Sequence, residues 1–130
     1  MKKVVFGLLF TATTLMAQLQ NVWVTPDFLK KDIKIIDIRT PGEWKETGIV
    51  KGAYTIMFFD EKGKFDIQKF LSKLDKVVKK GEQFALICRT GSRTAEISKF
   101  LSSELGYNVI NLGGGMMKLM HEGYKPVSYK

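Results

Sequence analysis

Phe84-Ala85-Leu86-Ile87-Cys88-Arg89-Thr90-Gly91-Ser92-Arg93-Thr94-Ala95-Glu96-Ile97-Ser98-Lys99-Phe100-Leu101 decides the fold. Its first four residues form a short, wholly apolar run, the pattern of a parallel strand covered on both faces. From Thr94 onward the residues read as helix. The six residues between, Cys88 to Arg93, are a strand-to-helix turn, and they contain the only cysteine of the chain. In open α/β sheets ligands bind at that end of a strand.

The turn has a chemical logic. Cysteine is nucleophilic as the thiolate, which needs a positive environment. The N–H groups at a helix start provide one and suit an anion. Gly91 lets the backbone curl so that several N–H groups face one point. Arg89 and Arg93 add charge, and arginine holds an oxyanion in bidentate fashion. The expectation is a cradle with the Cys88 sulfur at its centre and Arg89, Thr90, Gly91, Ser92 and Arg93 around a small anionic group. The competing reading is that Cys88 is an ordinary buried thiol.

Outward from this centre the chain alternates strand and helix, which argues for an α/β domain with a mainly parallel sheet. Val22 to Val24 is a strand candidate. Thr25-Pro26-Asp27 reads as a helix start, and that helix should end near Lys31. Ile33 to Ile38 is the next strand, with Asp37 and Arg39 at its end. Thr40-Pro41-Gly42-Glu43 has the spacing of a capping box, and Trp44 packs the short helix that follows. An ion pair from Arg39 to Glu43 would brace this turn. Ala53 to Met57 is a further strand. Asp66 caps a helix in which Ile67, Phe70, Leu71, Leu74, Val77 and Val78 recur at helical spacing. Lys79-Lys80-Gly81 ends it. The helix after the cysteine turn runs to about Leu105 and stops at Gly106. Val109-Ile110 is a last strand, Asn111 to Gly115 a glycine-rich turn, and Met116 to Glu122 a final helix.

Several of these stretches resemble the rhodanese family, the single-domain sulfurtransferases. Cys88 to Arg93 fits that family's active-site loop, which opens with cysteine and closes with arginine at the sixth position. Asp37-Ile38-Arg39 with Glu43 resembles its Asp-x-Arg signature. Gly48-Ile49-Val50-Lys51-Gly52-Ala53 stands where the family has Gly-His-Ile-Pro-Gly-Ala, with Ile49 for the histidine and Lys51 for the proline. Asn111-Leu112-Gly113-Gly114, a short helix, Gly123 and Pro126-Val127 resemble its C-terminal stretch, with Leu119 where tryptophan is frequent. The resemblance spans roughly residues 22 to 128.

The resemblance implies a rhodanese-like α/β domain, its sheet flanked by helices on both faces. It implies transfer of a sulfane sulfur through a Cys88 persulfide, from a donor such as thiosulfate to cyanide or a thiol. Asp37 and Arg39 would fix the surroundings of the site. Two rivals stand beside it. Related phosphatases and arsenate reductases use Cys-x5-Arg, a loop one residue longer than this one. Non-catalytic rhodanese-like modules bind partners, and they often lack the cysteine that is present here.

Length and composition set outer bounds. The chain has 130 residues, 45% of them hydrophobic and 26% charged, as in one soluble domain. A formal charge of +8 favours anionic substrates or surfaces. The basic residues are dispersed, with no run interleaved with aromatics, so no nucleic-acid partner is expected. One cysteine and one histidine give no ligand set for a metal, and no cofactor is called for. The partners expected are a small anionic sulfur donor and a thiol protein as one candidate acceptor.

Residues 1–17 read as a secretory signal peptide. Lys2-Lys3 is followed by the apolar run Val4 to Phe10, and no acid occurs before Asp27. The run is short for a membrane span, which needs ~20 apolar residues. Cleavage after Ala17 would leave residues 18–130 as the rhodanese-like domain, with no stable membrane anchor, in the periplasm or outside the cell. It would remove two lysines and no acid, taking the charge from +8 to +6.

Overall fold

The computed structural model describes residues 18–130. The expected signal peptide lies outside the described residues. Five strands form one sheet: β1 Leu19–Trp23, β2 Lys34–Asp37, β3 Tyr54–Thr55, β4 Phe84–Ile87 and β5 Val109–Gly113. Among the described residues four α-helices accompany them: α1 Pro41–Thr47, α2 Ile67–Val77, α3 Ser92–Leu105 and α4 Gly115–His121. A single turn of 3-10 helix covers Pro26–Lys30. Among the described residues no helix is long and apolar enough to cross a membrane.

The sheet order is β1-β5-β4-β2-β3 and every pairing is parallel. β4 is therefore central, which is why its four residues are all buried and apolar. From β2 the chain steps outward to β3, and from β4 it steps outward to β5 in the opposite direction. The crevice between such diverging connections lies at the C-terminal ends of β2 and β4. Asp37, Arg39 and Cys88 sit there. Ile38 N–H donates to Ile87 O at 3.1 Å and keeps the two strand ends together.

Side chains alternate across the sheet and build two cores. Phe84 and Leu86 of β4 face one side with Ile36, Val109, Phe70, Leu74, Ile97 and Leu101. Cys88 continues the same alternation and belongs to this core. Ala85 and Ile87 face the other side with Phe28, Ile110, Leu112, Met116 and Leu119. Helices α2 and α3 therefore cover one face, and α4 with the 3-10 turn covers the other. Truncating one wholly buried side chain of this kind, such as Phe84, costs about 3–5 kcal/mol.

The local signals for helix starts hold in detail. Thr25 Oγ1 accepts from Phe28 N–H at 3.2 Å, and Asp66 Oδ1 accepts from Lys69 N–H at 3.1 Å. The Thr40–Glu43 capping box is complete on both sides. Several boundaries differ from the sequence reading. Residues 26–30 are 3-10 helix, because a segment this short anchors one side chain, Phe28, and closes on the Lys31 N–H to Phe28 O bond. β1 begins at Leu19 because it pairs along its whole length with β5. For the same reason β5 continues through Asn111 and Leu112 to Gly113, where a turn was expected. β3 is only two residues long, Tyr54 and Thr55 standing in register with Ile36 and Asp37 of β2. α2 ends at Val77, one residue early, and α4 spans Gly115–His121.

Candidate active site

The loop from Cys88 to Arg93 joins β4 to α3. Gly91 is the N-cap of α3 and has φ 101°, a conformation that favours glycine. A Cβ there would also lie 2.9 Å from Gly114 N. This curl turns the Gly91 N–H onto Cys88 Sγ at 3.2 Å. Gly91 O points the other way and accepts from Ala95 N–H at 3.1 Å and from Thr94 Oγ1 at 3.2 Å.

The loop carbonyls are drawn away from the sulfur. Met116 N–H donates to Cys88 O at 2.9 Å, and Met117 N–H donates to Arg89 O at 3.0 Å. The first turn of α4 thus takes up two loop acceptors. Gly115 permits this approach, since a Cβ on it would stand 2.5 Å from both Cys88 O and Arg89 O. With those carbonyls held outside, the donor side of the loop is the side that meets Sγ.

Thr94 completes the sulfur's surroundings. Its hydroxyl lies 3.6 Å from Cys88 Sγ, and Thr94 is fully buried. The sequence reading missed it. The available signal was its position, one residue after Arg93 and three after the Gly91 cap, where the first helical turn faces back over the loop. Cys88 is itself fully buried.

The other loop residues divide by exposure. Arg89, Thr90 and Ser92 form the exposed rim. The Thr90 and Ser92 hydroxyls lie 3.2 Å apart, and Arg89 approaches Glu46 only to 3.8 Å. Arg93 is turned inward. Its two terminal nitrogens donate to the two Glu43 oxygens, each at 2.8 Å. These bonds hold the Glu43 carboxyl down at about 2, against an ordinary 4.5, and they raise Arg93 above its ordinary range. Glu43 also caps α1, accepting from Thr40 N–H at 3.2 Å. One carboxylate therefore ties the start of α1 to the start of α3.

The expected Arg39–Glu43 ion pair is not formed. Arg39 instead pairs with Asp37, through Nε to Oδ1 at 2.9 Å and a terminal nitrogen to Oδ2 at 2.8 Å. Its remaining bonds go to Thr47 Oγ1 at 2.8 Å and Gly48 O at 2.9 Å. The physical reason is burial. Asp37 and Arg39 are both fully buried, and a buried guanidinium must find acceptors for several donors at once. Asp37 and the end of α1 supply them. Asp37 and Arg39 thus lie beside the loop, and their hydrogen bonds run to each other and to α1.

The rhodanese-like domain family matches residues 22–122 of this chain. Solved structures with the same fold include a rhodanese-like domain protein from Staphylococcus aureus. It is 25% identical, with a TM-score of 0.60 over 84% of this chain and 99% of that one. A protein from Staphylococcus saprophyticus is 28% identical, with a TM-score of 0.58 over 78% of this chain and 96% of its own. A rhodanese-related protein from Thermoplasma volcanium is 25% identical, with a TM-score of 0.59 over 79% and 94%. A search of curated proteins finds no match.

Proposed function

The chain belongs to the rhodanese-like domain family, and on that footing we propose that it is a sulfurtransferase working through a persulfide on Cys88. The observation that carries this reading is the Gly91 N–H on Cys88 Sγ at 3.2 Å, in a loop whose Cys88, Arg89 and Gly91 carbonyls are bonded elsewhere. That arrangement suits a sulfur that bears negative charge in both its thiolate and persulfide forms.

In the first step the Cys88 thiolate attacks the outer sulfur of a donor such as thiosulfate. The donor's S–S bond breaks, and sulfite leaves with the bonding electron pair. In the second step cyanide or a thiolate attacks the outer sulfur of the persulfide, and Cys88 departs as thiolate. This is covalent catalysis of the ping-pong type. Arg89 and the Thr90 and Ser92 hydroxyls, on the exposed rim, hold the donor's oxyanion. Arg93, bound to Glu43, braces the loop, and the Asp37–Arg39 pair fixes the strand end beside it. The four-residue spacing between Cys88 and Arg93 argues against phosphoryl chemistry. The apolar leader read in residues 1–17 makes the periplasm or the cell exterior the proposed location.

The test is thiocyanate formation from thiosulfate and cyanide. Turnover that Cys88→Ser abolishes supports the proposal. A wild-type chain that forms no thiocyanate and takes up no sulfur from thiosulfate overturns it. A second reading, a non-catalytic binding module of this family, draws on one observation, the complete burial of Cys88.

A further inference from the structure

The charge of the chain is unevenly placed. Residues 62–80 hold seven lysines and two aspartates, so these 19 residues carry +5 of the +8 of the whole chain. Along the sequence these lysines come singly or in pairs, and the fold turns all seven to water. Lys69, Lys73 and Lys76 recur at i, i+4 and i+7 and share one side of α2. Among the described residues none of the seven forms an ion pair. The two aspartates are already bonded: Asp66 Oδ1 caps α2, and Asp75 Oδ1 accepts from the Tyr107 hydroxyl at 2.7 Å. The flanking acids do not cancel the excess. Asp60 is folded onto the Lys62 and Lys64 N–H groups, and Glu82 is paired with Lys34. That leaves Glu61, with Glu96 and Glu104 on α3 around Lys99.

The same face exposes large apolar side chains. Helices α2 and α3 lie side by side over one core. Where they begin, a groove of about 410 Å³ opens between Phe59, Phe65, Ile67 and Phe100. Where they end, a hollow of about 450 Å³ opens between Val78, Lys79, Lys80, Leu105 and Tyr107. Phe65 is 58% exposed, Phe100 38% and Leu105 42%. Apolar side chains left in water beside unpaired lysines mark an interaction surface. Helix α2 has 11 residues, so about 16 Å separates the two openings.

We infer that this face docks the domain on a lipid surface with anionic headgroups. The inference goes beyond sulfur transfer and does not rest on it. The lysine ammonium groups meet the headgroup phosphates, and Phe65, Phe100 and Leu105 sink to the boundary with the acyl chains. The pattern favours a plane over other polyanions. A nucleic acid would use the charge and leave Phe100 and Leu105 in water. An acidic peptide seated in one opening would leave the other empty.

The test is co-sedimentation of the full chain with vesicles of phosphatidylcholine alone and of equimolar phosphatidylcholine and phosphatidylglycerol. Residues 1–17 are the same in every variant, so differences between variants report on the face. The wild-type chain should prefer the anionic vesicles by about tenfold or more at low salt. It should lose most of that preference at about 1 M salt, where the screening length falls to about 3 Å. Each lysine near such a surface is worth about fivefold, so Lys69→Gln with Lys73→Gln should lower the preference by about fivefold or more. Lys30→Gln with Lys31→Gln removes the same charge beside Phe28, on the opposite face, and should change it by less than about twofold. Phe65→Ser and, on α3, Phe100→Ser leave the charge unchanged and should each lower binding to the anionic vesicles by about threefold or more. All six positions are exposed, so these substitutions leave the core intact. Partition onto the two kinds of vesicle within about twofold overturns the inference, and so do equal losses from the two lysine pairs. Phenylalanine variants that both bind as wild type also overturn it, and would make the face a site for soluble polyanions. No arm uses sulfur, so the result stands whether or not Cys88 carries it.

Discussion

Replacing Glu43 by Gln tests how the loop is held. Glutamine still fits the N3 position of the capping box, so α1 keeps its cap while the charge on the Arg93 contact is lost. The Glu43 carboxyl drops from 4.5 to about 2 in the folded chain, chiefly because Arg93 donates to it. At about 1.4 kcal/mol per pKa unit, the shift bounds the stabilisation at about 3 kcal/mol. The Arg93 and Glu43 side chains keep 28% and 19% of their surface in water. Screening of that part brings the expected value to about 1–2 kcal/mol. The sign follows from the depressed folded value. The contribution is complete above the unfolded value of 4.5 and is lost as pH falls through about 2. Urea unfolding of both chains should therefore show Glu43→Gln less stable by about 1–2 kcal/mol at pH 7, with the gap less than half as large by pH 3. An equal gap at both pH values, or none at pH 7, would refute the argument that this bridge is what ties α1 to the loop.

Two further substitutions probe the layers around the sulfur. Thr94→Val keeps the shape of a buried residue and removes the hydroxyl 3.6 Å from Cys88 Sγ. It should slow single-turnover sulfur uptake from thiosulfate about tenfold, while Thr94→Ser restores most of the rate. Arg39→Met leaves the Asp37 carboxylate buried without its partner, and urea unfolding should show a loss of about 3–5 kcal/mol.

What the sequence disclosed was mostly local. The Thr40–Glu43 box, the Asp66 cap and the Gly106 stop depend on residues within one turn of each other, and each stands as read. The strand-to-helix turn at Cys88 was legible for the same reason. Choices among distant partners were not. Glu43 had an arginine four residues away, yet it binds one fifty residues on, because Arg39 is buried and its donors are satisfied by Asp37, Thr47 and Gly48. Gly113 reads as turn from its neighbours alone, and it is strand because Trp23 lies alongside it. Gly115 reads as part of a glycine-rich turn, whereas its meaning is the approach of two carbonyls from the Cys88 loop. Thr94 is an ordinary residue in a helix until the fold sets it against the sulfur. In each case the deciding contact is between elements, and the types of residue close by along the chain do not encode it.

The central claim is that Cys88 carries transferable sulfur. Intact mass of the purified protein, taken before and after thiosulfate and again after cyanide, tests it most directly. The account predicts a gain of one sulfur atom on the wild-type chain, its removal by cyanide, and no gain in Cys88→Ser. A wild-type mass that thiosulfate leaves unchanged, or a sulfur adduct that persists in Cys88→Ser, would contradict it.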